Sequence, residues 1–193
     1  DEVSELNVVQ SDVLDASEEQ DDSESTIARE LAENSSSEVV EEPKVSFDTF
    51  DLQKPLREAI DTLGFEFCTP IQAQSLVHTL QGHDVTGKAQ TGTGKTAAFL
   101  ITIINDLLSN PIQEKRYLAE PRALIVAPTR ELAIQIASDA DLLNKYSGLH
   151  TVTLVGGEDY QKQTRALDAR PVDIVVATPG RLLDFVSNGN LHL

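Results

Sequence analysis

The stretch AQTGTGKT, residues 89–96, is the most informative segment of this 193-residue chain. Gly92 and Gly94 give the backbone the freedom to turn its N–H groups towards anionic oxygens. Lys95 offers a positive charge to β- and γ-phosphates, and Thr96 offers a hydroxyl to Mg²⁺. The pattern predicts a phosphate-binding loop, although Ala89 stands where the general pattern has its first glycine. The alternative is a glycine-rich turn followed by a chance Lys–Thr pair.

The sequence after this loop repeats one arrangement of apolar runs and helical segments. TAAFLITIINDLL predicts a buried helix, whose N-terminal dipole favours phosphate. The runs RALIVA, TVTLV and VDIVVA are each followed by a turn and a segment with helical character. This alternation predicts an α/β fold, a parallel sheet with helices on both faces. DVTGKA, before the loop, is the weakest predicted strand, and SNPIQEKRYLAEP is predicted to be a polar, exposed loop.

Two further helices are predicted before the loop. DLQKPLREAIDTLGF has an apolar stripe with helical spacing, and Gly64 follows it as a C-terminal cap. In TPIQAQSLVHTLQG, Thr69 is a candidate N-cap, Pro70 occupies the first helical position, and Gly82 follows the end.

A second pattern occurs where the apolar runs end. Thr129 and Thr178 each follow a predicted strand and are candidate N-caps, with Arg130 and Arg181 close by. Carboxyl ends of parallel strands share one edge of a sheet, so the helices that follow these strands begin side by side there. Several helix N-termini at one edge could bind the successive phosphates of a nucleic-acid backbone. The alternative is ordinary capping with surface arginines. The pair Gly156–Gly157 alone indicates only a turn.

Charge and composition divide the chain into two parts. Residues 1–42 hold fifteen of the 32 acidic residues and a single base, Arg29. We therefore expect an acidic, disordered tail over 1–43, or else a charged interaction arm, followed by a folded domain over 44–193. The sequence shows no signal peptide and no membrane span, and its single cysteine, Cys68, suits a cytoplasmic protein. The absence of methionine suggests a fragment or a processed product.

Taken together, the motifs resemble those of the DEAD-box ATP-dependent RNA helicases. AQTGTGKT, PTREL (128–132), GG (156–157) and TPGR (178–181) follow the order and spacing of that family. GFEFCTPIQ (64–72) resembles its Q motif, and Phe47 lies seventeen residues before Gly64, where the family has an isolated aromatic residue. The family's phosphate loop normally begins with alanine. The chain looks most like a bacterial subgroup, the RhlB-type helicases.

The resemblance implies a role for each matching residue. Gln72 would read the adenine edge and Phe47 would pack on the adenine ring, with ATP and Mg²⁺ as cofactors. Lys95 and Thr96 would be catalytic, with Thr96 binding Mg²⁺. The implied nucleotide-binding set is Phe47, Gln72, Ala89, Gln90, Thr91, Gly92, Thr93, Gly94, Lys95 and Thr96. The implied RNA-binding set is Pro128, Thr129, Arg130, Gly156, Gly157, Thr178, Pro179, Gly180 and Arg181. Arg130 has the alternative of bracing the site through internal ion pairs.

The sequence departs from the family in two respects. Cys68 replaces a proline, and we expect it to pack rather than to react. The chain also ends at NGNLHL, before the strand that would carry Asp-Glu-Ala-Asp. The resemblance therefore implies an incomplete RecA-like domain 1 that folds poorly and hydrolyses little ATP by itself.

The predicted function is that of an ATP-dependent RNA helicase in the full-length protein, with RNA and an RNA-degrading complex as partners. One alternative is a truncated nucleotide- or RNA-binding module without turnover. Another is a different P-loop ATPase such as a DNA translocase, which would need neither the Q motif nor PTREL.

Overall fold

The structure is a computed structural model that describes residues 4–5, 44–90, 92–112 and 115–193. Within these ranges a 3₁₀ turn at Phe47–Thr49 precedes α1 (Lys54–Thr62), α2 (Pro70–Thr79), α3 (Lys95–Ser109), α4 (Arg130–Leu143), α5 (Tyr160–Ala169) and α6 (Pro179–Ser187). The strands are β1 (Ser4–Glu5), β2 (Val85–Thr86), β3 (Ala123–Val126), β4 (Thr151–Leu154) and β5 (Ile174–Ala177). None of the helices in these ranges has the length and apolar character to cross a membrane.

A parallel sheet with the order β3-β5-β4 forms the centre of the fold. Ile174 and Val176 of β5 join one apolar cluster, which includes residues of α1 to α4, whereas Val175 and Ala177 join a second cluster with residues of α5 and α6. Successive side chains of a strand point to opposite faces, so β5 is buried on both sides. This arrangement confirms the predicted α/β class with helices on both faces of a parallel sheet.

The strand before the phosphate loop differs from the prediction. The structure limits it to Val85 and Thr86, and it pairs in parallel with Ser4–Glu5 rather than with the three-stranded sheet. Val85 is only half-buried and Thr86 is exposed, so side-chain burial does little to stabilise a strand here. Apart from Ser4 and Glu5, the predicted acidic tail lies outside the described residues.

The two helices before the loop begin and end as their sequences predict. Leu56, Ala59 and Ile60 are the buried stripe of α1, and Pro70 is the first residue of α2. Gly64 has φ = 73° after α1, and the next N–H, from Phe65, donates to the Ile60 carbonyl over 3.2 Å. Such a left-handed residue ends a helix with little strain only when it is glycine.

The segment between α3 and β3 is more firmly attached than its polar sequence suggests. Arg116 forms an ion pair of 2.6 Å with Asp173, which is almost fully buried, and Arg122 lies 3.8 Å from the same carboxylate. Asp173 also accepts the His150 N–H over 2.9 Å. Ala119, in the same segment, is buried. The prediction of an exposed loop is confirmed for most of the described segment and is wrong for Arg116 and Ala119, while Gln113 and Glu114 lie outside the described residues.

Replacing Asp173 with alanine tests this attachment. We expect Asp173→Ala to lower the free energy of unfolding by about 3 kcal/mol, because it leaves two largely buried guanidinium groups without their carboxylate. Urea unfolding of the full-length protein measures the change. Asp168→Ala removes an acidic residue from an exposed position on α5 and should change stability by less than about 0.5 kcal/mol. Equal stability of the two variants would contradict the assignment.

Candidate functional site

The phosphate loop leads directly into the N-terminus of α3. Gly94 is the N-cap of this fifteen-residue helix, with φ = 92° and no side-chain cap on the first turn. Gly92 has φ = 84°. Both values lie in the left-handed region, which explains why glycine occupies these positions. The first-turn N–H groups of a long helix without a side-chain cap favour an anionic ligand.

Lys95 places its ammonium group over the loop itself. Its Nζ donates to the carbonyl of Ala89 and, over 2.6 Å, to the carbonyl of Gln90. The hydroxyl of Thr93 also donates to the Gln90 carbonyl over 2.8 Å. The loop is thus held closed around the lysine by its own backbone. Thr91, predicted to belong to the same loop, lies outside the described residues.

The beginning of α2 is bonded to the phosphate loop. The Gln72 amide nitrogen donates to the Gly94 carbonyl over 3.1 Å, and its amide oxygen accepts the Thr69 N–H over 2.9 Å. The Thr69 hydroxyl donates to the Thr93 carbonyl over 2.8 Å. A side chain on Gly94 would collide with the Gln72 amide. Gln72, only 5% exposed, therefore already contacts the loop, a contact that no sequence pattern predicts.

Phe47 is not placed as the resemblance implies. Its side chain is 1% exposed and belongs to the same apolar cluster as Leu56 and Ile60. A ring covered to this extent has no free face for stacking on a base. The structure therefore corrects this expectation, and assigns Phe47 to the core, where it anchors the segment before α1.

The other candidate residues gather at one edge of the three-stranded sheet. The register aligns Val126, Ala177 and Leu154, the last residues of the three strands. The segments that follow these strands therefore emerge side by side, as predicted. Thr178 and Arg181 are half-buried, and the other seven are exposed, namely Pro128, Thr129, Arg130, Gly156, Gly157, Pro179 and Gly180.

Two arginines connect these segments to one another. Arg130, the first residue of α4, donates from Nη1 to the Gly156 carbonyl over 3.3 Å and lies 3.6 Å from the Glu158 carboxylate. Arg181 donates from both Nη atoms to the Glu158 carbonyl over 3.3 Å. A side chain on Gly157, where φ is 74°, would approach Arg130 Nη1 to 2.6 Å. Gly157 is thus fitted against an arginine, whereas Gly156 has open space where a side chain would be.

The two threonines predicted as N-caps behave differently. The Thr129 hydroxyl accepts the Leu132 N–H over 3.3 Å and caps α4, as predicted. Thr178 precedes α6 in an extended conformation, but its side chain makes no capping hydrogen bond. Thr178 therefore occupies the predicted N-cap position, but its N–H, which donates to the Leu154 carbonyl over 3.0 Å, fixes the backbone without a side-chain cap.

Sequence reasoning missed Gln163, which forms hydrogen bonds to Val155, the residue before the glycine turn (Gly156–Gly157). Its amide oxygen accepts the Val155 N–H over 3.0 Å, and its amide nitrogen donates to the Val155 carbonyl over 3.1 Å. The only signal was its spacing, four residues before the buried Leu167 on α5. A polar residue on the core face of a helix requires such partners.

The donor set around Lys95 fits the phosphates of a nucleotide. An ammonium group, a helix N-terminus without a side-chain cap and the hydroxyl-bearing Thr96 converge there. Within the described residues, no group of three His, Cys, Asp or Glu side chains could hold a metal ion by itself. Mg²⁺ is commonly bound through few protein ligands together with phosphate oxygens, so a metal here would depend on the nucleotide.

Comparison with known proteins assigns the chain to a family. Residues 69–192 match the sequence profile of the DEAD/DEAH box helicases. This chain belongs to the DEAD/DEAH box helicase family. The family assignment covers α2, the phosphate loop and the whole three-stranded sheet.

Relatives within the DEAD/DEAH box family match over most of this chain. It is 59% identical over 153 residues to the ATP-dependent RNA helicase RhlB of Pseudomonas putida, covering 79% of this chain and 38% of that protein. The RhlB of Shewanella sediminis is 53% identical over 147 residues, covering 76% of this chain and 34% of that protein. The resemblance to RhlB-type helicases is thereby confirmed, and the chain spans little more than a third of these relatives.

The fold matches a solved member of the family. The crystal structure of a DEAD box protein from the hyperthermophile Methanococcus jannaschii superimposes with a TM-score of 0.67 at 35% identity. The match covers 77% of this chain and 38% of that chain. It supports assignment of the described domain to the RecA-like class found in DEAD-box proteins.

Cys68, in the DEAD-box Q motif of this chain, is set up for packing rather than for chemistry. It lies half-buried against the larger apolar cluster, and its N–H donates to the Val45 carbonyl over 2.7 Å. Burial raises the pKa of the Cys68 thiol from 9.0 to about 11. The reactive thiolate is therefore scarce at neutral pH.

The raised pKa predicts slow alkylation of this single cysteine. Below pH 9, we expect iodoacetamide to modify the folded chain roughly 100-fold more slowly than free cysteine, since the pKa difference is about two units. The rate should rise about tenfold per pH unit up to about pH 11. Mass spectrometry follows the reaction, and the urea-unfolded chain is the control. A rate that levels off near pH 8 would contradict the prediction.

Proposed function

We propose that the full-length protein carrying this chain is an ATP-dependent RNA helicase, and that this chain supplies its nucleotide site and part of its RNA-binding surface. The helix N-terminus and lysine of the phosphate loop carry the proposal, since they match the charge of a nucleotide polyphosphate. Lys95 would bind the β- and γ-phosphates, and Thr96 would bind Mg²⁺. Bound Mg²⁺ neutralises the charge that develops on the phosphates during phosphoryl transfer.

The adenine contact is assigned to Gln72 alone. Its amide already lies against the phosphate loop at Gly94, so a base held there would be next to its own phosphates. An amide side chain presents a donor and an acceptor side by side, which suits the edge of adenine. Because both amide atoms have internal partners, base binding would share or replace these hydrogen bonds.

RNA is the proposed ligand at the strand-end edge. Two helix N-termini, those of α4 and α6, open onto this edge beside exposed Gly156, Gly157 and Gly180. Backbone N–H groups and arginines that meet phosphates bind nucleic acid with little dependence on sequence. The names of the RhlB relatives agree with RNA as the substrate.

The cellular setting is part of the same proposal. We place the protein in the cytoplasm, with an RNA-degrading complex as its partner and without a membrane partner. The acidic composition of residues 1–43 suits a charged interaction arm.

Replacing Lys95 tests the nucleotide site. In the full-length protein, we expect Lys95→Ala to lower RNA-stimulated ATP turnover at least ~100-fold, because a charge aimed at the transferring phosphate is lost. Lys88→Ala, which removes an exposed lysine before the same loop, is the matched control and should retain turnover. Normal turnover by the Lys95 variant would refute the site. If the unaltered full-length protein binds ATP and RNA but does not hydrolyse ATP, a binding module is the better description.

Replacing Gln72 tests the base contact. We expect Gln72→Ala to weaken binding of both ATP and GTP, since the loop loses its bond at Gly94, but to reduce the preference for ATP about tenfold. Competition binding with labelled ATP measures the ratio of the two affinities. Gln74→Ala, at an exposed position on α2, should leave that ratio unchanged. An equal loss for both nucleotides would mean that Gln72 only braces the loop.

A further inference from the structure

Glu158 contacts both arginines of the strand-end edge and has no role in the motifs read from the sequence. Its backbone carbonyl accepts both Nη groups of Arg181, and its carboxylate lies 3.6 Å from Arg130 Nη2. It therefore links the first turn of α4 to the first turn of α6. No other acidic residue of the described chain joins these two helices through ion pairs or hydrogen bonds.

The backbone at Glu158 is firmly held. Arg181 has a side chain only 12% exposed, and its guanidinium also lies 5.5 Å above the ring of Tyr160. That ring in turn stacks on the buried Phe185 with 4.3 Å between centroids. The backbone of Glu158 is thus fixed by a chain of contacts that reaches the core, so its carboxylate is attached to a rigid part of the fold.

Arg130 is by contrast exposed, and two contacts determine where its guanidinium lies. Nη1 donates to the Gly156 carbonyl, while Nη2 faces the Glu158 carboxylate, with side chains 42% and 35% exposed. A guanidinium has five N–H donors, so these contacts leave others free for a phosphate. A long side chain that is already held loses less conformational entropy when it binds a ligand.

We propose that Glu158 is a positioning residue for RNA binding: it holds Arg130 over the glycine turn so that the guanidinium meets an RNA phosphate already oriented. The inference rests on the proposed function. A carboxylate near a phosphate also repels it, but both groups are solvent-exposed, where water and salt weaken that repulsion. The benefit of orientation therefore exceeds the repulsion, and removing this acidic residue weakens RNA binding instead of strengthening it.

The experiment measures binding of a labelled single-stranded oligouridylate to the full-length protein at several KCl concentrations. We expect Glu158→Gln to weaken binding about fivefold and Glu158→Ala to weaken it further. The slope of log affinity against log salt should decrease by up to about 0.7, the value of one lost phosphate contact on a single strand. Asp168→Asn, which removes an exposed acidic charge from α5, controls for net charge and should not weaken binding.

A double-substitution cycle separates positioning from general effects. Arg130→Gln should weaken binding about tenfold, and adding Glu158→Gln to it should cause no further loss, because Glu158 acts through Arg130. The urea midpoint should be the same for all variants, since an exposed ion pair contributes little to stability.

Three outcomes would overturn the inference. Tighter or unchanged binding by Glu158→Gln would show that the carboxylate only repels RNA or does nothing, and the proposed function would stand. Independent losses in the double variant would show that Glu158 does not act through Arg130. Absence of RNA binding by the unaltered protein would instead reject the proposed function, and this inference with it.

Discussion

The burial of β5 on both faces is the constraint on which the rest of the domain depends. Its alternating residues enter two separate apolar clusters, so the same four-residue strand joins the helices on one side to those on the other. Both β3 and β4 pair with it in parallel, and the register places the last residues of the three strands side by side. Everything at the strand-end edge follows from that common end, including the approach of α4 to the glycine turn.

The candidate residues form two groups that are built in different ways. Around the phosphate loop, backbone carbonyls accept hydrogen bonds from Lys95, Gln72 and Thr69, so the loop shape depends on nearby side chains. At the strand-end edge, rigid strands place the backbone and arginines connect the turns. The first group therefore surrounds a charged centre with backbone held by side chains, and the second provides a firm surface of exposed backbone.

The sequence was sufficient for those features that depend on neighbouring residues. Helical stripes, the cap at Gly64, the first-turn proline of α2 and the parallel strands all follow from local periodicity and turn chemistry. It was insufficient where distant residues meet. No residue near Arg116 predicts its contact with Asp173, fifty-seven positions later. The burial of Phe47 likewise depends on helices that pack around it.

Sequence pattern is also insufficient at shorter range, as the strand before the phosphate loop and the threonine caps show. Thr129 and Thr178 are both N-cap residues after apolar runs, yet only the Thr129 side chain makes a capping hydrogen bond. Pattern identifies a position, whereas the surrounding backbone decides which hydrogen bond forms there. The glycine turn is another example, since the need for glycine at position 157 follows from its positive φ and from the Arg130 guanidinium beside it.

The internal hydrogen bonds of Lys95 have a consequence for selectivity. Two of the three N–H donors of the ammonium already bond to backbone carbonyls, so a ligand finds one donor free and gains the others only by replacing those carbonyls. Neutral acceptors gain nothing in that exchange, whereas an oxygen bearing full negative charge forms the stronger bond. The loop therefore discriminates by charge: a polyphosphate competes with the backbone carbonyls for the lysine, whereas a nucleoside without phosphates has no charged oxygen with which to do so.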